Sequence, residues 1–451
     1  MNNSENRMET VVETLKKLHD GSISATQLVQ AAFIQAREAD SVFISLLEES
    51  ALAMAHDSDV RRQHGQPLSP LDGLPLAIKD LFDIEGTITT AGSATRSAIA
   101  PATRDAAVIE KLRALGVVFI GKTNLSEFAY SGLGLNPYYG TPTALFANCD
   151  LRAPGGSSSG SAIAVQRGIV TATLATDTAG SIRVPAAFNG LVGFKTSSSR
   201  HDMSGVHPLA VTLDSLGPIA QTVEDCRLLD NAMRGLSDSP ASTVDLSEVR
   251  FIVDTKVLQD PRLQPAVARN LERVMDILHQ RGAQVERRPV RAVERTRELI
   301  SSVGWLGAIE AWKLLIAVVE GPDAERMDHR IRTRLLKAQD LTAEKEVQLR
   351  VVRQQLIADI AEELGDAILV LPTVFHVAPA LAPLKADDEL FAQLNLDTLA
   401  ITMVGSLLDM PGVAMPSGVN ESYLPTSILF SSITGKDDRL LDICCAIERA
   451  L

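Results

Sequence analysis

The chain has 451 residues, 45% hydrophobic and 22% charged, with a formal net charge of −13. That length and apolar share can bury a large core. The negative balance argues against a nucleic-acid partner, which would need a basic face.

Reading from the N-terminus, the segment Met1–Thr10 is polar and lacks the apolar centre of a signal peptide. No stretch further on approaches the ~20 apolar residues of a membrane span, so the expectation is a cytoplasmic protein with no membrane partner. The first 65 residues read as a helical segment, with Ser24 and Gln27 forming a capping box ahead of Leu28, Val29 and Ala32. From Leu71 the texture changes. Glycine, serine, threonine and proline become dense, and short apolar runs appear at Leu76–Ile78, Val117–Ile120, Ile169–Ala175 and Gly190–Phe194. With a helical stretch such as Asp105–Leu115 between them, these runs predict buried strands of a mixed sheet.

Beyond about Leu236 the pattern turns more helical. Arg250–Asp254 reads as a strand, Leu263–Gln280 and Ala343–Leu364 as long amphipathic helices. In the second helix Val347, Val351, Leu356, Ile360 and Leu364 mark the expected buried stripe, and Gly365 can cap its end. Ala367–Leu371 and Ser427–Phe430 are further strand candidates, before a last helix from about Arg439. No repeat or disordered linker stands out, and the Gly-Pro near 321 sits among helix. The expected organisation is one domain over 1–451, with a core at 71–225 and helical decoration plus C-terminal strands at 236–451. The cysteines Cys149, Cys226, Cys444 and Cys445 show neither CxxC pairing nor Cys/His ligand spacing, so neither a disulfide framework nor a zinc site is expected.

The segment Pro154–Phe194 carries most of the chemistry. It opens Pro-Gly-Gly-Ser-Ser-Ser-Gly-Ser and continues through Thr176-Asp177-Thr178-Ala179-Gly180-Ser181-Ile182-Arg183-Val184-Pro185. A flexible Gly/Ser linker would be out of place between apolar runs. Small residues at 178–181 instead let backbone N–H groups converge on one point, where they can hold an oxyanion beside a nucleophilic serine. Such a serine still needs a base.

These runs resemble the amidase signature family. The likeness also covers Gly73-Leu74-Pro75-Leu76-Ala77-Ile78-Lys79-Asp80, Gly121-Lys122-Thr123-Asn124-Leu125-Ser126-Glu127-Phe128 and Asp214-Ser215-Leu216-Gly217-Pro218. It is close from about Leu71 to Asp225 and weaker at Leu369–Thr373 and Leu424–Phe430. The resemblance implies an α/β fold with a large mixed central sheet flanked by helices on both faces. It also implies a triad of Ser181 as nucleophile, Ser157 as bridging serine after a cis Gly156–Ser157 peptide, and Lys79 as base. The oxyanion hole it implies is the backbone amides of Thr178, Ala179, Gly180 and Ser181. The reaction implied is hydrolysis of a small carboxylic amide to acid and ammonia or amine. The expected partner is a small-molecule amide, no metal or organic cofactor is needed, and a homodimer is left open. Two readings compete: a glutaminase subunit of a tRNA-dependent amidotransferase, and a non-catalytic family member. Ala179, where many members have Gly, and Lys195-Thr196-Ser197, where many have Lys-Pro-Thr, bear on the substrate rather than the triad.

Two other motif matches fail on context. Gly116–Thr123 fits a phosphate-binding loop by spelling, but a helix precedes it and Val-Val-Phe-Ile reads as a strand. Gly156–Gly160 fits a nucleophile elbow centred on Ser158, but no apolar strand leads into it, and the order Ser…Asp…His would leave only His329 or His376 as late bases. His201 and His207 read as surface or structural, Cys149 as a bystander, and Asp177 with Arg183 as a structural pair. Alternation along a strand turns Asp80 away from the Lys79 amine. Substrate-lining residues are expected within Tyr130–Gly140 and the C-terminal third.

Overall fold

The computed structural model describes residues 8–146, 150–236 and 242–451; Cys149 lies outside them. Eleven strands among these residues form one mixed sheet. They are β1 (Phe43–Leu46), β2 (Pro75–Lys79), β3 (Val118–Thr123), β4 (Ala172–Asp177), β5 (Val192–Lys195), β6 (Ser215–Ala220), β7 (Arg250–Asp254), β8 (Gln284–Arg288), β9 (Ile368–Pro372), β10 (Gly412–Val419) and β11 (Pro425–Ser431). Their order is β1-β3-β2-β4-β6-β5-β10-β11-β9-β7-β8. β2 pairs parallel with β3 and β4, and β7 parallel with β8 and β9; the remaining neighbours are antiparallel.

Side-chain alternation sorts the two faces. Leu76, Ile78 and Phe119 join a core with Leu112, Leu229 and Met233 from the helices Ala107–Ala114 and Val223–Met233. Ala77, Val118 and Ile120 join another with Val29, Phe33 and Ile163 from the helices Ala25–Glu38 and Ser159–Gln166. Lys79 has the parity of Ala77, so it belongs to the second face. That places it toward the start of Ser159–Gln166.

The capping box at Ser24 and Gln27 is present, as is the cap at Gly365. The N-terminal segment is not wholly helical, however. Phe43–Leu46 is an edge strand, half-exposed along its length and too short to announce itself by alternation. The stripe expected on Ala343–Leu364 also needs correction. Val347 and Val351 are 62% and 65% exposed, whereas Leu349, Leu356, Ile360 and Leu364 are buried. Two residues from Leu349 is a rotation of about 200°, which puts both valines on the solvent side.

No single helix among the described residues is long and apolar enough to cross a membrane. The bent pair Arg291–Ser302 and Leu306–Val319 comes nearest by length and composition. It packs on the helices His329–Ala338 and Ala343–Leu364.

Candidate active site

β2 delivers Lys79 to the middle of the fold, where the side chain is fully buried. Its amine lies 2.7 Å from Ser157 Oγ and 2.9 Å from Thr176 Oγ1 on β4. Burial pulls its pKa down to about 7, against the opposing pull of the Asp177 and Asp214 charges. Asp80 indeed turns elsewhere. Its carboxylate meets Lys122 Nζ at 2.7 Å and accepts from Thr90 N at 2.9 Å. Lys122 is thereby spent on a buried ion pair on β3, and Gly116–Thr123 is a strand entry rather than a phosphate loop.

Ser157 follows a cis Gly156–Ser157 peptide bond. Its carbonyl accepts from Ser126 N at 3.0 Å. Ser158 donates from both N and Oγ to the Ser181 carbonyl, fastening the two serine segments together. Glycine is required just beyond. A Cβ on Gly160 would stand 2.3 Å from the Val42 carbonyl oxygen, so only glycine lets this helix start lie so close to the chain ahead of β1.

Ser181 sits in the turn between β4 and the short helix Arg183–Asn189. Asp177, the last residue of β4, organises that turn. Its carboxylate accepts from Ile182 N at 3.1 Å, Arg183 Nε at 3.0 Å and Arg183 Nη2 at 2.8 Å. Burial pushes this carboxyl up, but the Arg183 guanidinium more than offsets it and holds the pKa below the ordinary value. The expected structural pair is present, with both partners buried. Breaking it by Asp177→Ala would leave Arg183 buried without its counter-charge, at a cost of about 3–5 kcal/mol. Urea denaturation checks this, and a loss below about 1 kcal/mol would contradict it.

Between Asp177 and Ile182, the N–H groups of Thr178, Ala179, Gly180 and Ser181 meet no acceptor among the described residues. Their loop is clamped from outside. Thr178 Oγ1 donates to Asp214 Oδ1 at 2.5 Å, and Thr402 Oγ1 donates to the Ala179 carbonyl at 2.6 Å. Asp214 is itself raised by burial to about 6. Gly180 has φ +142°, and a Cβ there would fall 2.4 Å from Thr402 Oγ1, so no side chain fits without displacing the clamp. Ser181 Oγ has no hydrogen-bond partner among the described residues, and the residue lines a cavity of about 310 Å³.

That cavity is lined by Ala179, Trp305, Leu341, Leu399 and Met403, together with Arg334 and Lys337. Of the stretch Tyr130–Gly140, only Tyr130, Ser131 and Gly132 reach it. Leu133 and Leu135 pack into a separate apolar cluster with Phe391. The C-terminal third contributes as expected, through Trp305, Arg334 and the helices around Leu399 and Met403. Thr176, a polar partner of Lys79, and Ser158, the tether of Ser181, were not anticipated; nothing in their spacing marks them. His329 pairs with Asp388 and His376 with Thr398, so neither serves a serine. His201 is a buried partner of Asp230 at 2.9 Å. Burial and Arg96 hold His207 down to about 4.

Residues 24–441 match the family model described as Amidase. The chain is 33% identical to a 2-amino-5-chloromuconic acid deaminase of Comamonas testosteroni, covering 86% of this chain and 84% of that one. It is 31% identical to a mandelamide hydrolase of Pseudomonas putida, covering 98% and 91%. A glutamyl-tRNA(Gln) amidotransferase subunit of Syntrophobacter fumaroxidans is 29% identical, with 98% of each chain covered. Among solved structures, an amidase crystal structure superposes with a TM-score of 0.86 at 28% identity, covering 98% of this chain and 100% of that one. The chain therefore belongs to the amidase family and is a hydrolase of the amidase signature class.

Proposed function

We propose that this protein hydrolyses a small carboxylic amide through an acyl-enzyme on Ser181, with Ser157 and Lys79 relaying the proton. The observation that carries this reading is a fully buried lysine, 2.7 Å from Ser157 Oγ, with no carboxylate in salt-bridge range among the described residues. A lysine held near 7 is half neutral at neutral pH. A neutral amine keeps a lone pair for the Ser157 proton while still donating to Thr176 Oγ1.

In the forward direction, Ser181 Oγ attacks the amide carbon as its proton passes to Ser157, whose own proton goes to Lys79. The negative charge that develops on the carbonyl oxygen is held by the unpaired N–H groups of Thr178 to Ser181. The proton returns through Ser157 to the departing nitrogen, which leaves as ammonia or amine. Water then attacks the ester under the same base, releasing the acid and restoring Ser181. The largely apolar cavity of about 310 Å³ favours a compact substrate.

The test is ammonia or amine release by the purified chain from a panel of aliphatic, aryl and dicarboxylic amides. Turnover without any partner is the expected result. Release from glutamine only when partner subunits are added would replace this reading with that of a glutaminase subunit. Absence of turnover on every amide, with no labelling of Ser181, would favour a non-catalytic role.

A further inference from the structure

Resting on that reading of Ser181, we propose that the amide substrate carries a carboxylate at the end remote from the scissile bond, bound by the guanidinium of Arg334. The cavity that Ser181 lines contains two cationic residues, Arg334 and Lys337, and no aspartate or glutamate. In a chain of net charge −13 this is a local reversal of sign.

Arg334 is also incompletely used by the protein. One Nη1–H donates to the Tyr130 carbonyl at 2.5 Å. The guanidinium carbon lies over the Tyr130 ring, 4.6 Å from its centroid. An arginine has five N–H donors, and the other four meet no acceptor among the described residues. No carboxylate lies within 4 Å of it among those residues either. Two neighbouring acidic groups favour its charge, Tyr130 first and Asp328 second, and Asp328 is engaged by Arg330, with Nε and Nη2 both at 2.9 Å. Burial works against the charge on Arg334, yet an arginine stays protonated in proteins. A cation that lines the cavity, held by a ring stack and one carbonyl, keeps donors for a planar, two-oxygen acceptor. A carboxylate supplies that geometry.

Ala179, Trp305, Leu399 and Met403 give the same cavity an apolar lining. The spacer it fits is therefore hydrocarbon. The substrate class is a half-amide of a short dicarboxylic acid: one end acylates Ser181, the other stays an anion on Arg334. Lys337, one helical turn along from Arg334, adds charge to the lining rather than a second fork.

The experiment compares kcat/KM for succinamate, glutaramate and adipamate with that for the corresponding uncharged diamides. Binding of succinate, glutarate and adipate to the Ser181→Ala variant is measured in parallel by calorimetry. The expected result is a preference for at least one half-amide of about 30-fold or more over its diamide, carried mainly by KM. Arg334→Met should collapse that ratio toward one and abolish dicarboxylate binding; Arg334→Lys should recover part of both. A wild-type enzyme that turns over the diamides as well as the half-amides, with dicarboxylate binding unchanged in Arg334→Met, would overturn the proposal and leave the Ser181 reading standing. Dicarboxylate binding that depends on Arg334, in a protein that turns over no amide, would instead uphold the anion site and remove the acyl-enzyme.

Discussion

Replacing Lys79 with alanine is expected to lower turnover by about 10²–10⁴-fold, with no recovery at alkaline pH. The size follows from what the side chain does. It is fully buried, touches Ser157 Oγ and Thr176 Oγ1, and has no salt-bridge partner among the described residues. The pH dependence follows from its pKa of about 7. Protonated lysine cannot accept the Ser157 proton, so wild-type activity falls as pH drops through about 7 and levels off above it. The limb belongs to the coupled Lys79–Ser157–Ser181 unit rather than to one group. Stability carries the opposite side of the same linkage. The folded-state pKa lies below the unfolded value of ~10.4, so the unfolded chain binds more protons between the two. Lys79 therefore opposes folding most below about pH 7, and wild-type stability should gain between pH 7 and pH 10. Lys79→Met should lose both that slope and the activity. Near-normal activity in Lys79→Ala, with the acidic limb unmoved, would show that the lysine is not the base.

Replacing Ser181 with alanine is expected to lower turnover by about 10⁴-fold or more while leaving stability within about 1 kcal/mol of wild type. Both halves follow from the environment of Oγ. It makes no hydrogen bond among the described residues, so its removal breaks nothing that holds the fold. Ser181 lines the cavity together with Thr178 and Ala179, in a run of four residues whose N–H groups meet no acceptor among those described. Residual turnover is expected from substrate binding and the N–H groups alone. Urea titration and steady-state rates measured on the same preparation separate the two effects. A variant that keeps a tenth of wild-type turnover would remove Ser181 from the chemistry.

Much of the site could be read in the residues because it is local in sequence. The small-residue run Thr178–Ser181 and the apolar run ending at Lys79 each announce themselves within ten positions. What brings them together is less legible. Thr176 contacts Lys79 across 97 positions, and Thr402 reaches Ala179 across 223. The cavity wall is assembled from helices whose outward and inward faces only packing decides. The valines of Ala343–Leu364 show the difficulty: an apolar residue every four positions does not say which stripe is buried when a second stripe runs alongside it. The strands that escaped notice fail for a related reason. β1 and β8 are sheet edges, short or polar, with Gln284-Val285-Glu286-Arg287-Arg288 carrying no apolar run. β6 holds Gly217 and Pro218, and β10 holds Pro416 and Gly418, residues that argue against a strand; in β10 the ladder accommodates them by shifting register between those two positions.

The most direct test is covalent labelling with a serine-directed fluorophosphonate, followed by intact-mass measurement and peptide mapping at a series of pH values. The predicted result is one adduct per chain, on Ser181, formed at a rate that rises through about pH 7 and absent from the Ser181→Ala variant. An adduct on Ser158 or Cys149, or labelling of Ser181 that is equally fast when Lys79 is alanine, would contradict the account.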